Sequence, residues 1–95
     1  MSETVIFDKE MGITHYDFTR LLARAVGHSD FTLRDGKISI TDGPRKLEIT
    51  LSEESERRVA SVVMPVTFVR FALSGYDDAV KEMARIDLRF QRGGG

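Results

Sequence analysis

His15 and His28 are the only histidines in the chain, and imidazole is the side chain whose ordinary pKa lies nearest neutrality. They flank one amphipathic segment, so they cannot share a turn of it. His28 stands in Gly27-His-Ser-Asp30, which offers a His28–Asp30 acid/base pair. Loop polars alone specify no reaction, and a solvated loop past a helix end is the simpler reading. Asp77-Asp78 could be a carboxylate pair. Consecutive helical residues point about 100° apart, so two acids there read as a helix start facing the positive dipole end. A metal site needs three or four converging ligands. Two distant histidines, scattered acids and no cysteine supply none, and they also remove disulfide and thiolate chemistry. Asp42-Gly-Pro44 and Ser74-Gly-Tyr76 each hold a single glycine and match no phosphate cradle. The residues therefore predict a non-enzyme with no metal and no cofactor.

Charge narrows the partners. Arg34, Arg45, Lys46, Arg57, Arg58 and Arg70 could gather into a basic patch, but Glu48 and Glu53-Glu-Ser-Glu56 are interleaved with them. The formal charge is −1, which argues against nucleic-acid binding. No run approaches the roughly 18 apolar residues of a membrane span. Met1-Ser-Glu-Thr4 lacks the basic start and apolar core of a secretion signal, so the expected location is cytoplasmic.

The last sharp feature is Gly93-Gly-Gly95. This ending resembles that of ubiquitin-like modifiers and small sulfur carriers. The resemblance implies a carrier activated at its terminal carboxylate, with Gly94 and Gly95 threading a narrow active site because they lack Cβ. In those families a strand feeds the tail, whereas here the preceding pattern is helical. The alternative is a helix C-cap at Gly93 and a frayed end, which divides the chain into one domain over 1–92 and a flexible tail over 93–95.

The elements follow from periodicity. Thr4–Asp8 is a short apolar strand. Thr14 is an N-cap for a helix to Val26, with Ile13 and Phe18 at the staple positions. Phe18, Leu21, Leu22, Ala25 and Val26 form its buried face, and Gly27 ends it. Phe31–Thr41 reads as a hairpin about Asp35-Gly36, a pair that tolerates the positive φ of a type I′ turn. Asp42–Arg45 turns again, Leu47–Leu51 alternates, and Ser52–Glu56 is a polar loop. Ser74–Asp78 opens a second helix, with Ser74 as its cap. Tyr76, Ala79, Val80, Met83, Ile86 and Phe90 share one arc of it.

Between them lies Arg57–Leu73, rich in valine and apolar at both parities. As one straight strand it would exceed the diameter of a domain of this length, near 30 Å. Pro65 is the expected corner between strands 57–64 and 66–73. The order becomes β-α-β-β-β-β-β-α: an α+β domain, an antiparallel meander of five to six strands with two amphipathic helices on one face. Strands apolar on both sides need cover on both sides, and there is no third helix. The expectation is a homodimer, or an unidentified protein partner, covering an apolar sheet face at Met64, Val66, Phe68 and Arg70. A sheet curled over a small apolar ligand, with Met64, Val66 and Phe68 lining the pocket, would answer the same need.

Overall fold

Alternation along the strands builds the sheet. In the computed structural model, which describes residues 3–94, the elements are β1 (Thr4–Met11), α1 (His15–Val26), β2 (Lys37–Asp42), β3 (Arg45–Leu51), β4 (Ser55–Val59), β5 (Val62–Ser74) and α2 (Ala79–Gly94). All pairings are antiparallel, with β1 and β3 on the two edges of β5, β2 outside β3, and β4 on the far half of β5. Ile38 and Ile40, Leu47, Ile49 and Leu51, and Val69, Phe71 and Leu73 point to one buried face. Both helices cover it. Phe18 of α1 lies 6.1 Å from the Phe71 ring and edge-on to Phe90 of α2 at 5.2 Å. The chain is thus an α+β protein with a five-stranded antiparallel sheet and two helices.

Local signals position α1. Thr14 Oγ1 accepts from the Asp17 amide at 3.1 Å, Ile13 and Phe18 are both buried, and Gly27 takes the left-handed conformation with its amide donating to the Ala23 carbonyl. In α2 the cap differs from expectation. Asp78 Oδ1 accepts from the Lys81 amide at 3.1 Å, while Ser74 still belongs to β5. Gly75 explains the delay: its φ is +78°, and any Cβ there would overlap the Pro44 carbonyl, so the chain must turn before a helix can begin. Val80 is 67 % exposed. At about 100° per residue it sits roughly a quarter turn from the centre of the Met83–Ile86–Phe90 face.

The expected strand at 31–34 reduces to a single bridge, Arg34 to Lys37. Asp35 and Gly36 both have positive φ, as the turn requires. Phe31 and Leu33 both lean on the core instead of extending beside β2. The Gly36 carbonyl accepts from the Leu51 amide at 2.7 Å, and a Cβ at Gly36 would meet the Leu51 carbonyl oxygen, so this turn is drawn against the end of β3.

The largest correction concerns the valine-rich stretch. It folds back at Ala60-Ser61, between β4 and β5, and runs through Pro65 without a corner. Val59 faces Val62 across that two-residue turn, and Glu56 faces Pro65. Hydrogen-bonded and open pairs alternate along an antiparallel ladder. Counting from the pair that closes the turn, Pro65 falls at an open pair, where its nitrogen faces the edge that β1 leaves free. A missing N–H costs no ladder bond there. At thirteen residues, β5 is about 43 Å long, and the molecule measures 49 × 26 × 23 Å. The length is absorbed by projection, not by bending.

Candidate functional site: a projecting arm and the open face at its base

β1 ends opposite Thr67 and β3 opposite Val69. Beyond them β4 and the first residues of β5 form a two-stranded arm. Its exposed apolar side chains are Val59 (56 %), Val62 (55 %), Val63 (45 %) and Met64 (44 %). A lone hairpin is marginally stable in water, so the anchors at its base matter. The buried Thr67 hydroxyl donates to the Ile13 carbonyl at 2.7 Å, and the Phe68 amide donates to Ser52 Oγ at 2.9 Å. His15 joins its Nε2 to the Ser52 carbonyl at 2.6 Å, and its amide donates to Glu54. The arm is thereby tied to the start of α1.

The four residues expected at an interface share one parity of β5, and their exposures differ. Met64 and Phe68 are open, Phe68 at 55 %, whereas Val66 is closed off at 7 %. Arg70 lies flat against Asp8, its Nε and Nη2 donating to the two carboxylate oxygens at 2.7 and 3.1 Å. Those hydrogen bonds hold the Asp8 carboxyl below the usual range. Strand alternation puts Val59 and Val62, paired across the turn, on this same side. Arg57, opposite Met64, reaches Glu10 of β1. The result is an apolar stripe, Val59–Val62–Met64–Phe68, edged by charges that are already paired.

Apart from Ile6, 47 % exposed opposite Ala72, the rest of the open face is polar. Asp8 and Glu10 of β1, Lys46, Glu48 and Thr50 of β3, and Lys37, Ser39 and Thr41 of β2 all stand exposed on it. Alternation in these neighbours overrides the two-sided apolarity of β5, so the expected apolar face narrows to a stripe. Where the stripe meets the body there is a shallow concavity of about 560 Å³, lined by Phe68 and Arg70 together with Asp8, Glu10, Thr50 and Ser52. Met64 and Val66, expected to line an enclosed pocket, do not line this one.

A second cleft, at the other end of the sheet, collects His28, Asp30, Asp42, Arg45, Tyr76 and Arg85. The partners there are already taken. Arg45 pairs with Asp42 at 2.9 Å and lies over the Tyr76 ring at 5.9 Å, and Arg85 pairs with Glu82. Hydrogen bonding by Arg85 lowers the Glu82 carboxyl, while burial raises the Tyr76 phenol. His28 Nδ1 accepts from the Asp30 backbone amide at 3.1 Å in an exposed turn, which fits the solvated-loop reading and not an acid/base pair of the two side chains. Asp78 is spent as a helix cap. Among the described residues no three histidine, aspartate or glutamate side chains come together as metal ligands, and no helix is long and apolar enough to cross a membrane. Of the glycine tail, α2 runs to Gly94, and Gly95 lies outside the described residues.

Neither a hairpin ending in valines nor its stripe was expected from the sequence at Val59 and Val62. The usable signal was Ala60-Ser61, the one pair of small residues inside a stretch too long to be straight. The chain matches no protein-family model, no curated protein and no solved structure.

Proposed function

We propose that this protein is a non-enzymatic interaction module that self-associates through the stripe on its arm. The observation that carries the reading is the arm itself: two strands hold four large apolar side chains about half exposed, and no other element among the described residues covers them. A second copy suits this surface better than a charged partner does. Asp8 is paired with Arg70 and Glu10 with Arg57, so the stripe's border is neutral and neither repels its own copy nor attracts a strongly acidic or basic surface. Edge-to-edge pairing along the free side of β5 is disfavoured, because Pro65 offers no N–H there. Association is therefore face to face. The stripe and its surroundings span about ten residues of β5 by two strands, roughly 33 × 10 Å. That is well below the ~800 Å² per partner of a standard interface, so the association is weak and reversible. Sedimentation across a concentration series should show a monomer–dimer equilibrium that Val62→Glu together with Met64→Glu abolishes. A wild-type protein that stays monomeric at high micromolar concentration overturns the reading.

A further inference from the structure

We infer that the two arms cross antiparallel, with the tip of each seated in the concavity at the base of the other. The inference rests on the self-association proposed above. A face-to-face pair related by a two-fold axis allows two arrangements: arms side by side, tip to tip, or arms reversed, tip to base. The stripe's own profile decides between them. At one end is a narrow two-stranded turn, Val59-Ala60-Ser61-Val62; at the other, on the same side, is the hollow lined by Phe68. Side by side, hollow faces hollow and tip faces tip, so neither is filled. Reversed about an axis near Pro65, the level of Val62 meets that of Phe68 in the partner, and both hollows are filled at once.

The distances agree, because Val62 and Phe68 are six residues apart, about 20 Å, symmetric about that axis. The hollow's charges fit an apolar visitor too. Asp8 is held by Arg70 and Glu10 by Arg57, so an entering valine strands no lone charge. In this arrangement each copy's concavity is completed only by the other's arm.

The chain has no cysteine, which permits a direct test in the full-length protein. Ser61 is at the arm's tip, and Thr50, which pairs with Arg70, borders the hollow. Both are exposed and outside the stripe. Ser61→Cys and Thr50→Cys chains, one carrying a mass tag, are mixed and treated with a short bis-maleimide. The crossed arrangement expects a covalent dimer containing one chain of each kind, and only background from either variant alone. Ser61→Cys cross-linking mainly to itself, or a dimer seen by sedimentation with no mixed product, overturns the crossing and leaves self-association standing. Monomeric sedimentation of wild type overturns both.

Discussion

Ala60 carries a φ of +55° as the first residue of the turn between β4 and β5. Ser61 stays out of the positive-φ region, which is the pattern of a II′ turn, whose first position favours glycine. An L-residue there costs about 1–2 kcal/mol. Ala60→Gly should therefore tighten the arm, by about 1 kcal/mol at most once the greater freedom of glycine in the unfolded chain is discounted. Slower hydrogen exchange at the β4 and β5 amides near the turn is the measurement, since global denaturation can miss a locally opening hairpin. Tyr76 gives a prediction in pH. Burial raises its phenol above the ordinary value near 10. The unfolded chain then loses its proton first, so the contribution is whole below that value and is lost as pH rises toward the folded one. Tyr76→Phe should flatten the alkaline fall in denaturation midpoint. An unchanged alkaline limb would mean that another group governs it.

At the scale of elements, the two helices were written more plainly than the sheet's connections. Thr14, Ile13, Phe18 and Gly27 each act locally, and each does what its type dictates. Thr14→Ala should cost about 1 kcal/mol in chemical denaturation, the usual value of a lost N-cap. The helix-facing residues of β2, β3 and β5 were legible for a similar reason, because period-2 alternation is local. What could not be read is pairing. Phe31 and Leu33 alternate like a strand, yet the core takes both side chains and no ladder forms. Pro65 looked like a break because its effect depends on which edge its nitrogen faces, and only the register tells that. The stripe is half legible: period-2 alternation groups Val62 with Met64, but along one continuous strand it sends Val59 to the other side, and only the turn at Ala60-Ser61 brings Val59 beside Val62. If Pro65 guards the free edge, Pro65→Val should leave secondary structure intact by circular dichroism while restoring an N–H to that edge. Time-dependent light scattering absent from wild type is then expected, as edge strands pair without limit.

For the whole molecule, two phenylalanines on one strand separate folding from association. Phe71 is fully buried between β1, β3 and the Phe18 ring. Phe68, three residues earlier and of opposite parity, stands 55 % exposed at the foot of the arm. Phe71→Glu places an unpaired carboxylate in the core, and a charge so stranded costs several kcal/mol, a large share of the roughly 5–14 kcal/mol such a domain holds. It should give no folded protein. Phe68→Glu keeps its charge in water while the chain is monomeric, so circular dichroism should be that of wild type. On association the same carboxylate would be covered beside Asp8 and Glu10, whose arginines are already engaged, while Lys9, which also lines the hollow, is held by Asp87. The expected outcome is a folded chain that sediments as a monomer at concentrations where wild type dimerises. Were Phe68→Glu to dimerise as wild type does, the stripe would not be the contact surface. Were it to unfold like Phe71→Glu, Phe68 would be a structural residue, and the arm's tip, Val59 and Val62, would have to carry the association alone.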